Sequence, residues 1–280
     1  MIMKKLFIDI EKLNTGDSID GLKERLPFEV VDNLLLMASM PEAVLEESFL
    51  ITDNKRAADY AAMHGVGIAV YLNGDNNGDD FPKALYCIES FAGMSAKTIE
   101  RMYLRAKNLP WEILRTENVI VREITLDDID RLYEIYSNED VVKYIENLYE
   151  SKEEEIRFTK DYILNQYRFY EYGMWIVESV KTGEIIGRAG IFDRVDQEYK
   201  EIGFVFAKEY WGMGYAKETL KAIINYAHEE FEIDTLIAHV MSANVRSKRL
   251  LESLGFMYES DALVDGNKFE RYVMTRPLCN

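Results

Sequence analysis

The chain has 280 residues, 48% apolar and 30% charged, with a formal net charge of −17 and a pI near 4.7. That length suggests roughly two domains, and the mixture is that of a soluble protein able to bury real cores. No apolar run reaches the ~20 residues a membrane-spanning helix needs, and an acidic chain without a dense Lys/Arg stripe repels nucleic-acid phosphates, so neither a membrane nor a nucleic acid is an expected partner.

The N-terminal stretch, Met1 to Asp9, is too short in its apolar part for a secretory signal. It reads as a strand from Lys5 to Ile10 that runs into acidic residues. Pro27 to Ser39 carries apolar residues at helical spacing, Ser48 to Thr52 reads as a buried strand, and Lys55 to His64 is Ala-rich and helical. Val66 to Leu72 is another strand, Asn73 to Asp80 a turn-rich loop, Ala84 to Glu89 a strand and Ser95 to Asn108 a helix. This alternation predicts a small Rossmann-like parallel α/β layer. Leu109-Pro110-Trp111 interrupts it, so a boundary is placed near 110–116, giving domains 1–111 and 112–280. The cysteines, Cys87 and Cys279, lie far apart with no metal-ligand pattern nearby. They predict no disulfide framework, no metal site and a reducing cytoplasm. The acidic balance favours a cationic partner such as an amine.

In the second part, Asn118 to Glu123 is a strand, and Thr125 N-caps a helix with acids in its first turn. Glu153 to Tyr170 suits a further helix. Met174 to Val180 and Glu184 to Phe192 flank a hairpin turn at Lys181-Thr182-Gly183. A strand from Glu201 to Phe206 is followed by a long amphipathic helix from Tyr215 to Phe231. Then come a strand from Thr235 to Val240, a helix from Val245 to Leu254, and strands around Phe256 to Ser260 and Phe269 to Thr275.

The stretch Glu201 to Glu218, EIGFVFAKEYWGMGYAKE, carries the chemistry. A strand ends, a loop holds Gly212-Met213-Gly214, and a helix begins. Helix N-termini leave backbone N–H groups unpaired and carry partial positive charge, and glycines let that backbone approach a ligand. The result is a pyrophosphate cradle. A G-x-G pair alone is weak evidence, since Gly65-Val66-Gly67 is another one and reads as a turn before a strand. Some thirty residues on come Asn244-Val245-Arg246-Ser247 and Leu254-Gly255-Phe256.

Taken together, these segments resemble the GNAT superfamily of N-acetyltransferases, in the branch of the ribosomal-protein alanine and spermidine N-acetyltransferases. That branch shows E-I-G-[YF], W-G-x-G-[YF]-A-x-E, N-x-x-S and G-F. They stand here as Glu201-Ile202-Gly203-Phe204, Trp211 to Glu218, Asn244 to Ser247, and Gly255-Phe256. The likeness spans residues 116–276 and has one departure: Glu209 stands where the family's phosphate loop often opens with Gln or Arg. The resemblance implies an α+β fold with a mixed, mostly antiparallel central sheet flanked by helices, an acyltransferase activity, and acetyl-CoA as cosubstrate. It implies that Trp211, Gly212, Met213, Gly214, Tyr215 and Ala216 hold the pyrophosphate. The backbone of Phe204, Val205 and Phe206 would pair with the pantetheine arm, and Asn244 and Ser247 would contact it. Asn244 is equally well read as a helix N-cap. The acid that protonates the leaving thiolate would be Ser247, a nearby tyrosine such as Tyr258, or water. Glu201 would deprotonate the amine directly or through water, or be a strand-end charge. His228 and His239, inside a helix and a strand, read as structural.

Residues 41–72 also resemble the C-terminal half of the haloacid dehalogenase (HAD) core. Asp53 matches the first acid of its G-D-S-x-x-D motif, but Ala57 replaces the second, and the nucleophile strand corresponds to Asp9-Ile10-Glu11 with its second Asp changed. The family's intervening strand and cap find no room before Phe49. This resemblance implies a truncated, inactive domain serving partner binding, dimerisation or ligand sensing. Two functions remain open: acetyl transfer to a primary amine (a protein N-terminus, a polyamine or another small amine), or a CoA-binding sensor that has lost turnover and interacts through the first domain. A residual phosphatase is a third reading. The loops around residues 137–172 would form the acceptor pocket.

Overall fold

The computed structural model describes residues 3–31, 34–81, 83–194, 198–264 and 267–276. It divides into two compact units, Met1–Trp111 and Glu112–Asn280. Among the described residues no helix is long and apolar enough to cross a membrane.

Unit one contains β1 (Lys5–Asp9), α1 (Ile19–Lys23), β2 (Glu29–Val31), α2 (Leu34–Met37), α3 (Glu42–Leu45), β3 (Ser48–Thr52), α4 (Lys55–Met63), β4 (Gly67–Tyr71), β5 (Tyr86–Ile88) and α5 (Ala96–Ala106). The strands form one parallel sheet in the order β2-β1-β3-β4-β5. Every residue of β3 and β4 is buried, which is why both read as unbroken apolar runs: a parallel strand is covered on both faces. Alternate side chains feed two cores. Leu6, Ile8, Phe49 and Ile51 meet Ile99, Met102 and Tyr103 of α5 on one face. Phe7, Leu50 and Ile68 meet Ala57, Ala58 and Ala61 of α4 on the other. Two expectations are corrected. Pro27 to Ser39 is not one helix, since Glu29–Val31 is a strand parallel to β1 and only Leu34–Met37 is helical. A strand, β2, therefore does lie between β1 and β3 in the chain, although it occupies the edge of the sheet. Cys87 is exposed and unbridged, and Cys279 lies outside the described residues.

Unit two contains β6 (Glu112–Arg115), β7 (Val119–Arg122), α6 (Ile129–Tyr136), α7 (Glu139–Val142), α8 (Lys152–Asp161), α9 (Arg168–Tyr170), β8 (Met174–Ser179), β9 (Ile185–Phe192), β10 (Lys200–Phe206), α10 (Tyr215–Phe231), β11 (Thr235–Val240), α11 (Val245–Ser253), β12 (Met257–Val264) and β13 (Asn267–Thr275). A π-helical stretch, Tyr162–Tyr167, joins α8 to α9. The sheet runs β12-β13-β11-β10-β9-β8-β7-β6. All its pairs are antiparallel except β10 with β11, which α10 connects as a crossover. A reciprocal capping box between Thr125 and Asp128 opens the turn leading into α6.

The parallel pair is short. β10 and β11 are in register only at Lys200 with Leu236 and Glu201 with Ile237. β10 meanwhile pairs with β9 from Glu201 through Phe206. Past Glu201 the two parallel strands diverge, and the β10 edge that faces β11 is left without a partner strand. That divergence positions the site.

Candidate active site

β10 ends at Phe206, and a single 3₁₀ turn, Lys208–Tyr210, leads to the glycine loop. The Trp211 indole N–H donates to the Phe206 carbonyl at 2.8 Å, and the Arg246 guanidinium lies 3.9 Å from the Trp211 ring centroid. The tryptophan thus anchors the loop to the strand end. Gly212 and Gly214 adopt φ of +77° and +91°, and nothing lies within 4 Å of where a Cβ would stand on either. The Trp211 N–H donates to Lys208 and the Glu218 N–H to Gly214. Among the described residues no acceptor faces the N–H groups from Gly212 to Lys217. These donors stand at the N-terminus of the 17-residue helix α10, a position where unpaired backbone N–H groups suit an anionic diphosphate.

Glu209, the departure from the family pattern, is neutralised. Its Oε1 accepts from Arg131 at 2.8 Å. Backbone hydrogen bonding at its own residue and then Arg131 hold its carboxyl below the ordinary glutamate value. Arg131 also donates to Glu134 and to the Ile185 carbonyl. In the first turn of α10, Glu218 accepts from the Thr116 hydroxyl and from the backbone and side-chain N–H of Asn118, at 2.6, 3.0 and 3.0 Å. The helix start is thereby fastened to the β6–β7 turn.

The diverging strands line a cleft of about 830 Å³. Glu201, Phe204, Val205, Asn244 and Ser247 lie on it, as do Tyr136, the 143–149 loop, Glu155 and Phe158 from the 137–172 region. Phe206 and the Trp211–Ala216 loop are not in its lining; they continue from the end of β10, which forms one wall. Asn244 does cap α11, its Oδ1 accepting the Ser247 N–H at 3.2 Å. Tyr258 is not brought to the cleft. It stands on β12, the outermost strand, beside an irregularity between Tyr258 and Ser260. It is 53% exposed and donates its hydroxyl to Asp261 at 3.2 Å.

Glu201 is not a solvated strand-end charge. It is buried, and its Oε2 accepts from Arg194 Nε at 2.8 Å and contacts His239 Nδ1 at 3.0 Å. Burial alone would raise its pKa, but the hydrogen bonds and charges of His239 and Arg194 outweigh it and hold the carboxyl below its ordinary value. Sequence reading missed Arg194 and treated His239 as structural. A usable signal existed: in a strand side chains two apart share a face, so once Glu201 aligns with Ile237, His239 stands on the face of Glu201. His228 lies at the far end of α10 beside Asp234, 2.8 Å away, and is not in the cleft's lining.

The acetyltransferase (GNAT) domain model matches residues 118–257. The uncharacterized protein YkkB of Bacillus subtilis is 31% identical over 129 residues, covering 44% of this chain and 72% of that protein. The uncharacterized N-acetyltransferase YoaA of the same organism is 31% identical over 151 residues, covering 52% of this chain and 84% of that one. A Vibrio cholerae structure, described as a ribosomal-protein-serine acetyltransferase, superposes with a TM-score of 0.51 at 22% identity, over 59% of this chain and 97% of its own. It shares the fold.

Proposed function

Because the chain belongs to the GNAT acetyltransferase family, a family of transferases that use acetyl-CoA, we propose that residues 112–280 move an acetyl group to a primary amine by direct attack in a ternary complex. The acceptor is a protein N-terminus, a polyamine or another small amine. The observation that carries this reading is the continuity of two features: the partnerless edge of β10 past Glu201 and the outward N–H array from Gly212 to Lys217 at its end. Trp211 to Ala216 hold the pyrophosphate, and the β10 backbone at Phe204 to Phe206 pairs with the pantetheine arm as an added strand would. A backbone N–H there polarises the thioester carbonyl. Asn244 and Ser247 border the arm, and the Asn244 amide N–H₂ remains available while its oxygen caps α11. Ser247, which lines the cleft, is favoured over Tyr258, which does not, as proton donor to the leaving thiolate, with water the alternative.

The cleft's other wall, Tyr136 with the 143–149 loop, Glu155 and Phe158, supplies the acceptor pocket. Incubating the protein with acetyl-CoA and a panel of spermidine, small amines and Ala- or Ser-initiated peptides, with free-thiol detection, tests the reading. At least one acceptor should raise thiol release at least tenfold over hydrolysis. Acetyl-CoA binding without release across the panel would instead favour a CoA-binding sensor.

For unit one the reading extends the HAD-like resemblance to a degenerate, non-catalytic relative. Ala57, where the motif has its second acid, is buried in the apolar core beneath α4. Asp53 is spent on the chain itself, accepting from the backbone N–H of Glu11 and Lys12 and from Asn73 Nδ2. These contacts support a carboxylate that fixes the loop after β1.

A further inference from the structure

Resting on the acetyl-transfer reading of this cleft, we propose that His239, held by Glu201, is the general base that takes the proton from the attacking amine, with Nε2 as the accepting atom. β10 and β11 are aligned at Glu201 and Ile237, so Glu201 and His239 project from the same face. The Nδ1–Oε2 contact of 3.0 Å joins them, with the two side chains only 3% and 6% exposed. An ionised carboxylate can only accept. The proton in this bond therefore sits on Nδ1, which leaves Nε2 of the neutral ring with its lone pair free. His239 lines the cleft, and among the described residues Nε2 has no hydrogen-bond partner.

Glu201 itself is poorly placed to be the base. Its Oε2 already takes both Arg194 and His239, and the hydrogen bonds it accepts from them lower its basicity. A carboxylate so engaged orients and stabilises an imidazolium better than it removes a proton from an amine. The arrangement thus assigns Glu201 to positioning and His239 to proton transfer.

The acceptor nitrogen forms a bond to the acetyl carbonyl carbon, and the carbon–sulfur bond breaks, its electron pair leaving with sulfur as the thiolate. The proton released from nitrogen passes to His239 Nε2, giving an imidazolium paired with Glu201, and then goes to solvent. Water or Ser247 protonates the thiolate.

Other charged groups face His239 from several elements. Arg194 follows β9 and is paired with Glu201. Arg271, the register partner of His239 on β13, is paired with Glu259, and Glu270, aligned with Val240 and so on the opposite face of that strand, is paired with Lys248. Arg188, Glu155, Lys143 and Glu146 lie around the cleft. All of these remain in a His239→Asn variant, which keeps an N–H donor toward Glu201, so a change in its pH profile reports on the imidazole.

Three readouts test the assignment. Calorimetry should give His239→Asn an acetyl-CoA affinity within about threefold of the unaltered chain. Its kcat with the best acceptor of the spermidine and peptide panel should fall about 100-fold or more, and the acid limb of the kcat/KM profile should disappear. Independently of turnover, long-range ¹H–¹⁵N spectra of the intact chain, which has three histidines, should show neutral His239 as the Nδ1–H tautomer, and Glu201→Gln should perturb that signal. Unchanged kcat and an intact acid limb in His239→Asn, or an Nε2–H tautomer in the unaltered chain, would overturn the base assignment while leaving acetyl transfer standing. Absence of acetyl-CoA binding by the unaltered chain would overturn the cleft reading and this assignment with it.

Discussion

Gly212 and Gly214 hold left-handed backbone angles with open space where a side chain would project. The free protein therefore needs glycine there for conformation, and the open side is where a ligand would lie. An L-residue in a left-handed conformation costs about 1–2 kcal/mol, so Gly212→Ala should lower the thermal midpoint modestly. It should also weaken acetyl-CoA at least tenfold by calorimetry, and retained affinity would remove the loop from the binding site. Glu201 makes a different prediction. Its folded pKa is depressed below the ordinary value of 4.5, so its ion pair contributes stability above that value. The contribution is lost as pH falls through the lower, folded pKa. Glu201→Gln should cost about 1–3 kcal/mol at neutral pH, and its melting temperature should fall less steeply on acidification than that of the unaltered chain. Parallel acid limbs would show that the carboxylate is not engaged as described. Arg131 is the third case. Removing it as Arg131→Gln frees the Glu209 charge beside the N–H array, so acetyl-CoA affinity should fall several-fold. The deficit should shrink as added salt screens the repulsion; a salt-independent deficit would point to lost packing instead.

At the scale of elements, the divergence of β10 from β11 is the feature on which the proposed site rests. Backbone amides on the partnerless edge from Gly203 to Phe206 should exchange hydrogen quickly in the free protein and slow on addition of acetyl-CoA. Exchange unaffected by acetyl-CoA would argue against a strand-like pairing of the pantetheine arm. Much of this was legible in the sequence. Tyr215 to Phe231 and Thr235 to Val240 match α10 and β11 to the residue, because a long 3.6-residue period and a short apolar run with clear ends are local signals. Glu29–Val31 was misread for the converse reason. Three residues are too few to show a period, and the strand exists only because β1 offers it an edge. The Glu201–His239–Arg194 cluster was likewise hidden. The residues are 38 and 7 positions apart from Glu201, and only sheet register brings them together. Nor does sequence proximity of Tyr258 to the G-F motif reveal that its strand, β12, is the outer one.

At the scale of the molecule, two compact units, Met1–Trp111 and Glu112–Asn280, each carry their own sheet and core. The N–H array, the cleft and the Glu201–His239 pair all belong to the second. On the proposed function, residues 112–280 suffice for acetyl-CoA binding. A fragment of that span should unfold in one cooperative transition and keep the affinity of the whole chain within a few-fold. The most direct test of the central claim, that the edge of β10 and the N–H array beyond it form a cradle for acetyl-CoA, is calorimetric titration of the intact chain with acetyl-CoA beside Gly212→Trp. One site per chain is expected, with a Kd below about 100 μM, equivalent to more than about 5 kcal/mol of binding free energy, and its loss in the variant. No heat of binding in the unaltered chain at about 1 mM acetyl-CoA, a concentration that would reveal even millimolar affinity, would contradict it.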